Sequence, residues 1–159
     1  MSKTLVAVFS PTGTTRKIAK LIKEITGADY YEINPAEKYT SMDLDWDKKN
    51  SRSSVEMMDQ NSRPELADKD AKIEKYDTIF LGFPIWWYVA PHIIHTFLES
   101  YDFSGKTIVT FATSGGSGFG DTLSFLKHTA PDTRFIQGRV FRGNIEKDTV
   151  ATWLKTVDY

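Results

Sequence analysis

Apolar and polar residues come in blocks along the chain, and the period of the blocks changes as it runs. Leu5-Val-Ala-Val-Phe9 is an unbroken apolar run closed by Ser10-Pro11-Thr12-Gly13, the pattern of a strand buried on both faces of a parallel sheet. Directly after it, Ile18, Leu21, Ile22 and Ile25 recur at i, i+3, i+4 and i+7 with lysines opposite, which predicts a helix stopped at Gly27. Tyr30-Tyr-Glu-Ile33 reads as a second strand, giving a β-loop-α-β unit whose crossover is right-handed by default.

The alternation pauses over residues 35–76, which hold 18 of the 41 formal charges and only scattered apolar positions, among them Leu44, Trp46, Val55, Met57, Met58 and Leu66. This segment is expected to be a peripheral insertion, open to motion, with a short amphipathic helix somewhere inside it. Alternation then resumes. Thr78 to Gly82 predicts a strand, Phe83 to Pro91 a loop, and Ile93, Ile94, Phe97, Leu98 and Tyr101 the inward face of a helix. Thr107 to Ala112 follows as a strand, Thr113 to Gly120 as a glycine-rich loop, Thr122 to Ala130 as a helix and Arg134 to Ile136 as a last strand. In the closing helix Val150, Trp153, Leu154 and Val157 repeat the i, i+3, i+4, i+7 stripe, and Asn144 is the expected cap.

Five strands alternating with helices specify an α/β fold: a three-layer α/β/α open parallel five-stranded sheet. At 159 residues the chain is expected to be a single domain spanning 1–159, with 35–76 as its one elaboration. Thr78 to Leu98 contains no formal charge over 21 residues, long enough to span a bilayer, but Pro84, Pro91, His92 and His95 divide it into strand, loop and helix. The apolar run near the amino terminus is too short for a signal-peptide core, so the expected location is the cytoplasm, without membrane contact.

Composition narrows the chemistry. The net charge of −1 carries no footprint for nucleic acid, and the absence of cysteine removes disulfides, thiolate metal sites and thiol nucleophiles. No metal site is expected, and any redox chemistry must come from a cofactor. Aromatic residues number 10 Phe, 7 Tyr and 4 Trp, more than a core of this size obviously requires.

In open parallel sheets ligands bind beyond the carboxyl ends of the strands, where three loops meet. The first, Ser10-Pro11-Thr12-Gly13-Thr14-Thr15, offers four hydroxyls, a glycine and a helix N-terminus, which suits a phosphate dianion. It also reads as a capping turn in which Thr12 or Thr14 merely satisfies helix amides. Arg16 and Lys17 open the helix, where cations are unfavourable unless an anion offsets them or they point into solvent. The second loop holds Phe83, Pro84, Ile85, Trp86, Trp87 and Tyr88, with four aromatics in six residues where polar turn residues are usual. Such a surface fits a flat heterocycle, although Phe83 and one Trp could pack under the insertion instead. The third, Thr113, Ser114, Gly115, Gly116, Ser117 and Gly118 running on to Gly120, can approach a ligand closely and present amide donors.

Other phosphate chemistries fail on particular residues. No G-x-x-x-x-G-K-[ST] stretch is present, and Asp121 stands where Gly116 and Gly118 would need the third glycine of a dinucleotide fingerprint, which excludes NAD as a stably held cofactor. Ser10 and Phe83 occupy the positions where a phosphoacceptor site would need carboxylates. Phosphate at one end, a flat ring between walls and amides at its polar edge together describe flavin mononucleotide (FMN).

With Ser10-x-Thr12-Gly13-x-Thr15 after the first strand and Gly82-Phe-Pro-Ile-Trp-Trp87 after the third, the sequence resembles the flavodoxin-like family across nearly its whole length. Within it, the chain looks closest to bacterial flavoproteins neighbouring the tryptophan-repressor-binding quinone reductases. The resemblance implies strand order 2-1-3-4-5 and noncovalent FMN. It places the phosphate on Ser10, Thr12, Gly13, Thr14 and Thr15, and the ring against Pro84, Ile85, Trp86, Trp87 and Tyr88. Residues Thr113, Ser114, Gly115, Gly116, Ser117 and Gly118 then meet its pyrimidine edge and ribityl side. Two departures stand out: the chain is near neutral rather than strongly acidic, and its third loop has Ser and Gly where a stacking tyrosine is usual. Both favour an oxidoreductase moving electrons from NAD(P)H through FMN to a quinone or similar acceptor. The alternatives are a flavodoxin carrying electrons to a redox protein partner, and a regulatory FMN module without turnover. No catalytic side chain is assigned; His92 and His95 lie near the second loop without a clear acid role, and His128 is expected at the surface. The resemblance leaves room for a homodimer.

Overall fold

The computed structural model describes residues 3–159. Its strands are β1 (Thr4–Val8), β2 (Asp29–Glu32), β3 (Thr78–Pro84), β4 (Thr107–Thr113) and β5 (Arg134–Phe141), and all four pairings in the order β2-β1-β3-β4-β5 are parallel. The helices are α1 (Thr14–Thr26), α2 (Arg52–Met58), α3 (His92–Ser100), α4 (Thr122–Thr129) and α5 (Lys147–Leu154).

Because side chains alternate along a strand, the sheet faces two separate cores. Leu5, Ala7 and Phe9 join Ile79, Leu81 and Phe83 beneath α3 and α4, whereas Val6, Val8, Phe80 and Phe111 pack with Ile18 and Ile22 of α1 and Trp153 of α5. Helices therefore cover both faces, which is why the central strands read as continuous apolar runs. Gly82 is required by this packing: a Cβ there would fall 2.2 Å from the Phe111 ring. The uncharged stretch from Thr78 divides into β3, a tight turn and α3, and among the described residues no helix is long and apolar enough to cross a membrane.

Three expectations are corrected. The last strand extends five residues past Ile136 to Phe141, as a half-exposed edge in which polar Gln137 and Arg139 interrupt the apolar pattern and a bulge opposite Thr110/Phe111 breaks the register. Asn144 does not cap α5; Glu146 occupies the position before its first residue, and no side chain accepts from the helix amides there.

The third concerns the insertion. It closes on itself at its base, where Pro35 bridges Leu66, the Ala36 N–H donates to Glu65 O (2.8 Å) and the Ala67 N–H to Asn34 O (2.8 Å). The Tyr31 hydroxyl donates to Asp68, and the Ala71 N–H donates to the Tyr101 hydroxyl at 3.2 Å. The short helix exists as α2, capped by Ser51, but its polarity is reversed: Ser53 and Ser54 are buried while Val55 and Met58 are exposed. A helix with hydroxyls inward is not packing against an apolar core.

Candidate functional site

Gly13 starts α1 in a left-handed conformation (φ 89°), which turns the chain from β1 into the helix without a side-chain cap at that position. Neither Thr12 nor Thr14 caps the helix. Ser10 does that work, its Oγ accepting from the Arg16 N–H at 3.0 Å, while the exposed Thr12 and Thr14 hydroxyls lie 3.3 Å from each other. Among the described residues the amides of Thr12, Thr14 and Thr15 have no hydrogen-bond partner. Free amides beside exposed hydroxyls at a helix N-terminus form a donor set for an anion. Arg16 is neither loose in solvent nor turned toward the free amides of the loop: its Nε donates to Glu32 Oε1 at 2.5 Å and its Nη2 to Ser10 O at 3.3 Å. The unfavourable cation at the start of α1 is thus answered by a carboxylate on β2.

The second loop is a two-residue turn. Trp86 and Val89 exchange backbone hydrogen bonds of 2.9 and 3.1 Å, and the residues between them, Trp87 and Tyr88, have φ of 48° and 68°. Two consecutive left-handed residues define a type I′ turn, a geometry that favours Asn and Gly. Bulky aromatics there cost about 1–2 kcal/mol each, a strain that the fold retains. Gly120 locks the turn, since a Cβ on it would come 2.6 Å from the Tyr88 carbonyl oxygen. The four aromatics divide. Phe83 is a fully buried part of β3 and belongs to the core, extending the strand beyond Gly82 and taking this ring out of the loop's exposed aromatic surface. Trp86 is half-buried, packed edge-on against Phe9 (5.7 Å) and Tyr39 (5.5 Å), while Trp87 and Tyr88 are exposed.

The third loop is pinned at both ends: the Ile85 N–H donates to Thr113 O (2.9 Å), and Arg142 donates to Ser117 O (3.0 Å). Ser114 Oγ accepts from the Gly116 N–H at 3.1 Å, so that amide is already engaged. A Cβ at Gly115, Gly116 or Gly118 would meet no atom within 4 Å, and none of the three has positive φ. Nothing within the protein calls for glycine at these positions, and the open space leaves their backbone accessible to close approach.

The second and third loops frame a pocket of about 750 Å³, within the usual size range of ligand sites. Ile85, Trp86, Trp87 and Tyr88 form one wall, and Ser114, Gly115, Gly116 and Ser117 another. Pro84, Thr113 and Gly118 are not part of the lining, nor are Thr12 to Thr15. The hydroxyl loop is nevertheless tied to the pocket, because Thr15 and Thr113 share a buried hydrogen bond of 2.7 Å.

A third wall was not foreseen. Leu44, Trp46 and Ser53 come from the insertion, whose only sequence trace was isolated apolar residues in a charged segment. Arg52 holds this wall in place: its guanidinium lies 3.8 Å from the centre of the Tyr39 ring, and its Nε donates to Glu56 Oε2 at 2.9 Å. Tyr39 donates its hydroxyl to Glu56 at 2.5 Å, and burial first, then that bond, pushes its pKa up. The phenol stays protonated. Among the described residues, Ser53 Oγ is buried without a partner.

His92 and His95 are not in the pocket lining. Their Nδ1 atoms lie 2.6 Å from Ser62 Oγ and Thr129 Oγ1, and burial together with the nearby Arg63 charge lowers both pKa values, that of His95 to about 4. They are neutral buried groups joining α3 to the insertion and to α4. His128 is exposed as expected.

The flavodoxin family model matches residues 3–157. Among solved structures, a protein described as a flavoprotein from Bacteroides uniformis is 51% identical and superposes with a TM-score of 0.93, over 98% of this chain and 99% of that one. A flavoprotein in complex with FMN from Lactobacillus acidophilus is similar at 24% identity and a TM-score of 0.69, covering 97% and 99%. The WrbA-like flavodoxin from Agrobacterium tumefaciens shares the fold at 15% identity, with a TM-score of 0.62 and coverage of 96% and 90%. No curated protein matches the chain. A match over residues 3–157, on a sheet ordered β2-β1-β3-β4-β5, places the chain in the flavodoxin family.

Proposed function

We propose that the chain binds FMN noncovalently and acts as an oxidoreductase, moving electrons from NAD(P)H to a quinone or similar planar acceptor. The observation that carries this reading is the pocket itself: a strained aromatic turn faces a glycine-rich amide wall, with a free anion-binding loop fastened beside them through Thr15 and Thr113. FMN bound there supplies hydride and single-electron chemistry.

The chain's own residues position and polarise. Thr12, Thr14 and Thr15 amides, with the hydroxyls of the same loop, hold the phosphate; Trp86, Trp87 and Tyr88 give the ring its apolar wall. Amides of Gly115, Ser117 and Gly118 remain available to the ring's polar edge, where they stabilise negative charge. The third loop adds no aromatic side chain to the pocket, since its Phe119 is buried in the core. That leaves space beside the ring for a planar donor or acceptor. A net charge of −1 also gives little electrostatic steering toward a basic redox partner.

The exposed Trp87 and Tyr88 at the rim favour one other reading, an electron carrier docking a partner protein. Steady-state oxidation of NADH and NADPH by the FMN-loaded protein, with a quinone as acceptor, separates the two. Turnover supports the reductase. Its absence across several acceptors, with reduction by a flavodoxin reductase intact, supports the carrier.

A further inference from the structure

We infer that the insertion is a fourth ligand-binding element, in which Ser53 pairs its hydroxyl with the polar edge of the bound ring while Leu44 and Trp46 supply apolar contact. The inference rests on the proposed placement of a planar heteroaromatic ring in the pocket.

Its ground is a set of features that the protein alone leaves unexplained. Ser53 is 2% exposed, lines the pocket and has a hydroxyl without a partner among the described residues. A buried unpaired hydroxyl is destabilising, and its neighbours show that the fold can satisfy such groups: Ser51 Oγ donates to Ser54 Oγ at 2.9 Å. The orphan is the one serine of the three that lines the pocket. Its backbone is held, the Ser53 N–H donating to Asp43 O at 2.9 Å, and Arg52 beside it is clamped between Tyr39 and Glu56. The hydroxyl is thus presented on a fixed support. Trp46, 71% exposed, is a large indole on the same pocket wall that no core contact explains.

A ring carrying carbonyl and nitrogen groups along one edge matches this pairing of one hydroxyl with apolar surface. The phosphate loop contributes nothing to this wall, so ligands that differ only in the phosphate should feel its loss equally.

The test titrates apo-protein with FMN and with riboflavin, which has the ring without the phosphate. Ser53→Ala is expected to weaken both about fivefold to tenfold, the usual effect of one lost hydrogen bond, and Trp46→Ala to weaken both as well. Thr12→Ala, in the phosphate loop, weakens FMN alone. The apo-protein's melting temperature is expected to stay the same or rise in Ser53→Ala, because an unpaired hydroxyl is removed. Unchanged affinities for both flavins in Ser53→Ala and Trp46→Ala overturn the inference and leave the FMN reading standing. A fall in the apo melting temperature of Ser53→Ala also overturns it, by showing that the hydroxyl serves the fold. Wild-type protein that takes up neither flavin overturns the FMN reading itself, and the inference with it.

Discussion

The hydroxyls of Thr15 and Thr113, separated by 98 residues, meet at 2.7 Å in a buried hydrogen bond that joins the start of α1 to the end of β4. A hydroxyl donates once and accepts twice. If Thr113 donates, Thr15 keeps its proton for an anion and serves both the fold and the ligand. Thr113→Val should therefore destabilise the apo-protein by about 1–3 kcal/mol, the cost of stranding a buried hydroxyl. Replacing both residues with Val should recover most of that loss, because no polar group is left unpaired. Urea unfolding of the two single variants and the double variant forms a cycle that checks this; additive losses would contradict it.

The Trp87–Tyr88 turn should trade stability against binding. Tyr88 is 71% exposed, so it loses little packing on removal. Tyr88→Gly relieves one left-handed residue and should raise apo stability by about 1 kcal/mol, while weakening flavin uptake. Chemical denaturation together with FMN titration reads both effects. A destabilised variant would show that the side chain holds the turn rather than the turn holding the side chain.

Gly120→Ala should act the opposite way. Its Cβ would come 2.6 Å from the Tyr88 carbonyl, in a residue whose own φ is 53°. Neither backbone can yield cheaply, so a loss on the order of 1–3 kcal/mol is expected, with a shifted environment for Trp87 visible in tryptophan fluorescence.

Acid should unfold the protein in part through His95. Burial, and then Arg63 and His92, lower its pKa from 6.5 to about 4. The unfolded chain binds a proton that the folded chain refuses in this window. Stability from this group is therefore complete above pH 6.5 and declines as pH falls toward 4, by about 3 kcal/mol in all. His95→Gln should flatten the stability profile between those limits; an unchanged slope there would assign the acid sensitivity to carboxylates.

How far the sequence carried differs between the sheet and the pocket, for physical reasons. Strands β1, β3 and β4 are covered on both faces, and their apolar runs declare them. Strand β5 lies at an edge, so Gln137 and Arg139 are tolerated and the run seemed to stop at Ile136. The loops after β1, β3 and β4 could be located because topology fixes where strands end. Local composition could not reveal that Phe83 points into the core or that Ser10 caps α1. Trp46 and Ser53 were illegible for a further reason: their place in the pocket depends on a segment returning across the sheet's carboxyl edge, and only the contacts of Tyr39, Arg52 and Glu56 define that return.

The closed base of the insertion makes the segment a separable part. Because Ala36 and Glu65 already face each other across a 2.8 Å hydrogen bond, the chain between them could be replaced by a short turn with little change in where β2 and β3 lie. The price would be an uncovered Phe9 and Trp86, which lose Tyr39 as a neighbour, and a His92 without its Ser62 partner. The reverse exchange is equally open: the same two residues mark a socket through which a different wall could be fitted to this pocket, retuning which rings it admits without touching the sheet.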